Sequence, residues 1–150
     1  MNLLQRSDRF IQCTWKELTP YTTHVLVYQG HECTFVVDTF LGPGKMREML
    51  VALPASFKHQ PFIVINTHFH YDHIWGNQAY SESLRIATPL CRKLIEQHFE
   101  EEKQANLTWW EEGNQMCLPN CLITAPLFFP EDKIEIFPSP GHTEDGCSVV

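Results

Sequence analysis

The sequence predicts one α/β domain over residues 1–150, and three observations support this fold class. Short runs rich in β-branched and aromatic residues alternate with segments whose apolar residues recur at helical spacing. Residues 61–67 are nearly continuous in apolar character, which is typical of a strand covered on both faces. The length of 150 residues, with 43% apolar and 19% charged residues, suits a globular domain that buries its own core.

The first half of the chain predicts a hairpin followed by a helix. Residues 22–28 and 33–37 are rich in strand-forming residues and are separated by Gln29-Gly30-His31-Glu32, which is a hairpin pattern. Gly42-Pro43-Gly44 then enforces a turn, and residues 45–53 carry apolar side chains at helical spacing. This helix should end before Pro54, because a residue that precedes proline disfavours the helical conformation.

The second half continues the alternation of strands and helices. We expect a third strand at 61–67, a short helical piece after Gly76-Asn77, a strand at 84–88 and a helix at 89–104. Residues 106–130 mix aromatic residues with turn formers and predict a helical segment plus a long loop, a candidate flap. Trp109 and Trp110 in this stretch could line a substrate groove or pack in the core. Residues 133–137 predict a further strand, and another begins at Cys147.

Metal-ligand side chains cluster directly after the third predicted strand. They are His68, His70, Asp72 and His73. At this chain's histidine and aspartate content, the pattern arises by chance in roughly one such sequence in a thousand. We therefore interpret it as a metal site, with a polar turn at the strand end as the alternative. Ligand sites in open α/β sheets favour the carboxyl ends of the strands, where this cluster falls.

The spacing within the cluster suggests two metal ions. In an extended segment, side chains two residues apart point the same way, so His68 and His70 can bind one ion. Asp72 and His73 lie past the end of the strand and can address a second ion close to the first. His142 follows another predicted strand and is the best candidate for the third ligand of the first ion. Imidazole with carboxylate suits zinc, and iron or manganese are chemically reasonable as well.

These motifs resemble the leading signatures of the metallo-β-lactamase fold superfamily, which includes glyoxalase II and many other metallohydrolases. The resemblance rests on Thr-His-Phe-His-Tyr-Asp-His at residues 67–73, on Gly76-Asn77, and on Pro-Gly-His-Thr at residues 140–143. It implies a metallo-β-lactamase-like αβ/βα sandwich, of which this chain is an incomplete, N-terminal part. We therefore expect the chain to be the N-terminal portion of a longer protein, with a missing C-terminal half or a homodimer completing it.

The resemblance also implies a role for each residue of the cluster. It implies that His68, His70 and His142 bind the first ion and that Asp72 and His73 contribute to the second. Asp38 would lie near the site and support its ligands without binding the ion, although it could instead be only a turn former that closes its strand. In the complete fold, later strands supply a bridging aspartate and a final histidine, and the finished site holds two zinc ions.

The predicted function is a metal-dependent hydrolase of a small-molecule substrate. Zinc-activated water would attack an ester, thioester, amide or phosphodiester bond, and Asp72 would be the catalytic residue that orients the water and accepts its proton. The second ligand is His70, where flavodiiron relatives carry a glutamate, which favours hydrolysis over redox chemistry. The alternative is a non-catalytic metal-binding half-domain that acts by docking onto a partner or a second copy.

Composition limits the other classes of function. The formal net charge of −7 and the absence of a lysine and arginine cluster make nucleic-acid binding unlikely to be the main activity. The sequence shows neither a signal peptide nor an apolar run of membrane-spanning length, so we expect a cytoplasmic protein that does not enter a membrane.

The six cysteines are expected to be reduced thiols, because no export signal accompanies them. Cys117 and Cys121 could form a second zinc site with Cys91 or His98, but their spacing is one residue longer than the usual Cys-x-x-Cys. Cys147 could approach the metals or be buried as a small apolar residue.

Overall fold

The computed structural model describes residues 1–150, and its strands form one large sheet and one small sheet. The large sheet has seven strands in the order of the sequence: β1 (Asn2–Ser7), β2 (Phe10–Trp15), β3 (Thr23–Gln29), β4 (Thr34–Val37), β5 (Phe62–Ile65), β6 (Leu84–Ala87) and β7 (Cys121–Leu122). Strands β1 to β4 are antiparallel to their neighbours, whereas β4 to β7 are parallel. The small sheet is antiparallel in the order β10, β9, β8, and comprises β8 (Leu127–Phe129), β9 (Ile134–Pro138) and β10 (Cys147–Val149).

Three α-helices connect the strands, together with three short 3-10 helices. The α-helices are α1 (Pro43–Ala52), α2 (Tyr71–Ile74) and α3 (Pro89–Ala105), and the 3-10 helices span Ala55–Lys58, Trp75–Tyr80 and Leu107–Trp109. Helix α1 ends at the extended residue Leu53, as expected for a residue before proline. Helix α3 begins with a proline, and the Thr88 side chain accepts a hydrogen bond from the Cys91 backbone N–H.

Apolar residues cover both faces of the large sheet. Val36 and Val64 point to one face, where they join a large core with residues of α1 and α3. Phe35 and Ile65, their neighbours along β4 and β5, point to the other face and pack against the small sheet. This two-sided burial explains why β5 is nearly continuous in apolar character, and it confirms the predicted α/β class.

The parallel part of the sheet brings the carboxyl ends of three strands to one edge. Asp38 follows β4 and donates its backbone N–H to the carbonyl of Ile65 at the end of β5, over 2.8 Å. Asn66 follows β5 and donates its backbone N–H to the carbonyl of Ile86 in β6, over 2.9 Å. Polar residues that are distant in sequence therefore meet at this edge, as Asp38 and the histidine cluster do.

Most predicted elements are present, but the sequence missed four strands. The hairpin is β3 and β4, the first long helix is α1, and the helix predicted at 89–104 is α3. Strands β1 and β2 precede the hairpin, so the predicted third strand is the fifth. Strand β1 is largely exposed, and only Leu3 is half-buried, so it lacks the alternating apolar pattern of a buried strand. The stretch 106–130 contains β7 and β8, which are only two and three residues long.

Two further predictions concern helices. The helical piece expected after Gly76-Asn77 begins earlier, because α2 starts at Tyr71 and continues into a 3-10 helix that contains both residues. None of the helices has the length and apolar character needed to cross a membrane.

Candidate metal centre

The histidine cluster occupies the turn between β5 and α2. The chain leaves β5 at Ile65, and His70 takes an extended conformation, φ −59° and ψ 144°, as the residue before α2. The segment is thus a strand end followed by a turn rather than one long strand. The two histidines still converge, because Nε2 of His68 lies 3.1 Å from Nδ1 of His70.

The structure brings His142 to this pair from a distant part of the chain. His142 lies in the loop 139–146 between β9 and β10, which is closed by a hydrogen bond of 2.8 Å from the Ser139 N–H to the Gly146 carbonyl. The Cys147 N–H donates to the Thr67 carbonyl at 2.9 Å and ties the end of the loop to the histidine cluster. As a result, one nitrogen from each of His68, His70 and His142 lies within 4.8 Å of the other two.

Asp72 and His73 lie beside this group, on the first turn of α2. Nε2 of His73 is 3.6 Å from Oδ2 of Asp72, which is too long for a hydrogen bond and leaves both atoms available to a shared cation. The Thr23 hydroxyl donates to the same Asp72 oxygen at 3.0 Å and fixes the carboxylate. Nδ1 of His73 contacts Oδ2 of Asp38 at 2.7 Å.

Asp38 is buried and organises two of the histidines. Its carboxylate accepts hydrogen bonds from the Thr67 N–H and the Thr67 hydroxyl, both at 2.8 Å, in addition to the bond with His73. The backbone φ of 62° falls in the left-handed region, which aspartate tolerates better than most residues. Asp38 therefore closes β4, as a turn former would, and also supports the cluster from behind.

These contacts specify which ring nitrogens carry protons. Asp38 can only accept, so the Thr67 hydroxyl uses its single proton there and must itself accept from Nδ1–H of His68, 3.0 Å away. The lone pair of His68 is then on Nε2, which faces His70 and His142. By the same reasoning His73 donates Nδ1–H to Asp38 and keeps its lone pair on Nε2.

The histidines differ in the direction of their pKa shifts. Burial, and then the neighbouring His73, lowers the pKa of His68 to about 4, and burial and His142 lower the pKa of His70. For His73, burial acts against the charged form, but the carboxylates of Asp38 and Asp72 outweigh it and raise the pKa. His68 and His70 are therefore neutral near pH 7, which is the form that ligates a metal.

The donor set fits a divalent ion. Three nitrogens converge, the first two belong to neutral rings, and the lone pair of His68 is directed inward by its contact with Thr67. Imidazole nitrogen is a preferred ligand of zinc, iron and related metals. The three residues could hold one ion, and Asp72 and His73 offer two ligand atoms to a second. The structure thus brings together all five residues predicted as ligands, which are His68, His70, Asp72, His73 and His142.

Buried asparagines next to the histidine cluster hold the site in place. Asn66 and Asn77 exchange two side-chain hydrogen bonds of 2.9 Å, and the Asn77 amide also donates to the Cys117 carbonyl at 3.0 Å. Gly76 packs so closely that a Cβ there would lie 1.9 Å from the Thr39 carbonyl oxygen. Through this close packing and these hydrogen bonds, Gly76 and Asn77 hold the 3-10 helix Trp75–Tyr80 against the ends of β4 and β5.

Two adjoining cavities open onto the metal-ligand group. One has a volume of about 400 Å³ and the other about 520 Å³, and both are lined by Tyr21, His70, Asp72 and His142. Trp109 and Trp110 both pack against the large core, where Trp110 contacts Trp75, and Trp109 also lines the second cavity. No lysine or arginine lines either cavity.

The cysteines do not form a metal site in the structure. All six are free, and Cys117 and Cys121 belong to no group of three converging ligand atoms. Cys147 is buried, and its thiol donates to the Asn66 carbonyl at 3.3 Å. A second converging group, His31, Glu32 and Glu131, consists of exposed residues.

Asp145 also lies at this site, although it was not among the residues predicted from the sequence. This residue is 1% exposed, and neither of its carboxylate oxygens has a hydrogen-bond partner of ordinary geometry. Its position three residues after His142, in the same loop, was the available signal.

Comparison with known proteins agrees with this geometry. The family model of the metallo-beta-lactamase superfamily matches residues 18–150. Among solved structures, the chain is similar in fold to a metallo-beta-lactamase from Pontibacter korlensis, with a TM-score of 0.71 and 19% sequence identity. The similarity covers 99% of this chain and 65% of that protein, so this chain spans less than two thirds of that protein's length. No curated protein sequence matches the chain.

The superfamily consists mostly of hydrolases, and its members generally bind divalent metals. Because the family match extends over most of the sequence and the fold agrees with it, the chain belongs to the metallo-β-lactamase superfamily.

Proposed function

We propose that the protein is a metal-dependent hydrolase that uses zinc to cleave an ester, thioester, amide or phosphodiester bond. The observation that carries this proposal is the convergence of one nitrogen from each of His68, His70 and His142 beside an open cavity. Three histidines leave a coordination position free for water or substrate, which is typical of catalytic rather than structural zinc sites.

In this proposal the bound metal supplies Lewis-acid chemistry, because it activates water at neutral pH and polarises the bond under attack. The chain's own residues orient the reactants. The Asp72 carboxylate, fixed by the Thr23 hydroxyl at 3.0 Å, orients the attacking water and accepts its proton. His73, held by Asp38, would offer Nε2 to a second ion.

The cavity favours an uncharged acyl substrate over a phosphodiester. Its lining offers hydroxyl and aromatic groups, including Tyr21 and Trp109, but no lysine or arginine, so the metal alone would have to balance the charge of a phosphate. Tyr21 is 75% exposed and available to stack on a substrate. We therefore propose an ester, thioester or amide as the preferred bond.

The test compares variants of the ligands with a matched histidine control. His70→Ala and His142→Ala should abolish metal-dependent hydrolysis of p-nitrophenyl acetate, because each removes one of three ligands. His59→Ala changes an exposed histidine outside the site and should leave turnover unchanged. Unchanged turnover in both ligand variants would refute the proposal. Faster turnover of bis(p-nitrophenyl) phosphate than of the acetate ester by the unmodified protein would refute the acyl preference.

A second candidate function is a metal-binding module that acts by docking onto a partner or a second copy. The observation behind it is an open apolar groove of about 730 Å³ between the two sheets, lined by residues such as Phe10, Tyr28 and Val149. Strand β10 forms one edge of the small sheet and pairs only with β9. Metal binding without hydrolysis of any of these substrates, together with a dimeric mass in solution, would favour the docking function over the enzyme.

A further inference from the structure

Asp145 is a buried acidic residue that the proposed mechanism does not use. It is 1% exposed, and its two carboxylate oxygens are buried without a hydrogen-bond partner. The group that lies against it is the Cys91 thiol, which is only a weak donor. A buried carboxylate that lacks partners is costly for a folded protein, so its presence needs a physical reason.

The backbone around Asp145 holds the side chain in this position. The Thr88 hydroxyl donates to the Asp145 carbonyl at 2.7 Å, and the same hydroxyl accepts from the Cys91 N–H at the start of α3. The next residue, Gly146, is tightly packed, because a Cβ there would lie 2.9 Å from the Ser139 carbonyl oxygen. The loop that carries His142 therefore also fixes Asp145, between the amino end of α3 and the histidine cluster.

The carboxylate is close enough to act on the histidines electrostatically. Asp145 lies three residues after His142 in the same loop and two residues before Cys147, whose backbone N–H donates to the carbonyl of Thr67, the neighbour of His68, at 2.9 Å. The converging ligand atoms, however, come from His68, His70 and His142 alone. Asp145 thus lies near the candidate ion without belonging to the ligand group.

We propose that Asp145 is a positioning residue, whose buried negative charge strengthens divalent-ion binding at the three histidines without ligating the ion. Three neutral imidazoles contribute no charge to balance a divalent cation. A carboxylate behind them supplies part of that balance, in an environment where charges are poorly screened. The ion in turn gives the buried carboxylate the opposite charge that the chain does not provide. This inference rests on the proposed metal site.

The proposal makes a paired prediction that a purely structural role would not produce. Asp145→Asn keeps the shape of the side chain and removes its charge. We expect the affinity for zinc to fall by about 10–100-fold, the usual range for residues that support metal ligands from outside. The metal-free variant should unfold at the same or a higher temperature than the metal-free parent protein, because an unpaired buried charge is gone.

Zinc affinity is measured by competition with a chromophoric chelator, and stability by thermal unfolding with and without a chelator. The matched control is Asp132→Asn, which changes another aspartate with a 6% exposed side chain, paired with Arg9 at 2.8 Å and remote from the histidines. That control should lose stability and keep its zinc affinity. Asp145→Ser serves as a second uncharged variant, with the same expected loss of affinity.

The possible outcomes are distinct. If the parent protein itself binds no zinc, the proposed function fails together with this inference. If the parent binds zinc and Asp145→Asn binds it within about threefold as tightly, only the inference is overturned. A loss of affinity accompanied by a lower unfolding temperature of the metal-free variant, or failure of both Asp145 variants to fold, would show a structural role and would also overturn it.

Discussion

Replacing Asp38 with asparagine would reverse the direction of two hydrogen bonds at the metal centre. In the native arrangement the carboxylate accepts from the Thr67 hydroxyl at 2.8 Å and from Nδ1–H of His73 at 2.7 Å. The asparagine oxygen can still accept from the Thr67 N–H, so its amide NH₂ then faces both former donors. The backbone φ of 62° remains acceptable, because asparagine also tolerates the left-handed region.

The substitution would also change which ring nitrogen of His73 and of His68 carries the proton. His73 must now accept at Nδ1, so its proton moves to Nε2, the atom that faces Asp72. The Thr67 hydroxyl would accept a hydrogen bond from the amide and donate its own to Nδ1 of His68. The proton of the His68 ring would then be on Nε2 as well. Both nitrogens directed at the metals would lose their lone pairs, so zinc affinity should fall by about 10–100-fold.

The stability effect should be moderate and should depend on pH. Three charge-assisted hydrogen bonds become neutral ones, which we expect to cost about 2 kcal/mol in the metal-free protein. The pKa of His73 is raised in the folded state, so its pairing with Asp38 stabilises the protein below pH 6.5 and this contribution is lost as the pH rises through the folded-state pKa. The destabilisation by Asp38→Asn should therefore be larger at about pH 6 than at about pH 9.

Urea unfolding at these two pH values and zinc competition with a chelator measure the two effects. Asp132→Asn is again the matched control, and it should change stability without changing zinc affinity, because Asp132 bonds Arg9 and the His31 N–H instead of the cluster. Zinc affinity equal to that of the parent protein would refute the assignment of protons at the site. A pH-independent stability change would refute the ion pair between Asp38 and His73.

Three further predictions concern the support of the site and its titration. Gly76→Ala should destabilise the protein by about 3 kcal/mol in urea unfolding, because its Cβ would overlap a backbone carbonyl oxygen, whereas Gly141→Ala, with no neighbour closer than 4.0 Å, should be nearly neutral. Asn77→Ala removes four buried side-chain hydrogen bonds and should cost about 3 kcal/mol; a loss below about 1 kcal/mol would show that water replaces the amide. Burial lowers the pKa of His68 from its ordinary value of 6.5 to about 4 in the folded state, so the metal-free protein should lose stability as the pH falls from 6.5 towards 4, and His68→Asn should reduce that slope.

Most residues of the candidate metal centre could be recognised from local sequence patterns. The cluster from His68 to His73 was recognisable because its ligands are adjacent in sequence and follow an apolar strand. His142 was recognisable by its Pro-Gly setting and by the resemblance to the superfamily. Asp72 and His73 were expected to lie past the end of the strand, and they fall in α2, which begins at Tyr71. The expected approach of His68 and His70 needs only two residues of separation, and their ring nitrogens lie 3.1 Å apart.

Other parts of the fold left too little local signal to be predicted. Strand β1 is largely exposed and mostly polar, and β7 has two residues, so each exists as a strand only because it pairs with a neighbour in the sheet. The reciprocal bonds between Asn66 and Asn77 depend in the same way on the packing of a 3-10 helix against a strand end.

The sequence by itself determined the α/β class, the superfamily resemblance and the five candidate ligands, because each is expressed in apolar periodicity or in a compact motif. Only the tertiary structure decided which ring nitrogens are free to bind a metal, since that depends on Asp38 and Thr67 meeting at the ends of two parallel strands. It alone also showed that Asp145 is buried without a partner beside the histidines. Burial and proton placement arise from contacts between distant residues, and no local pattern records them.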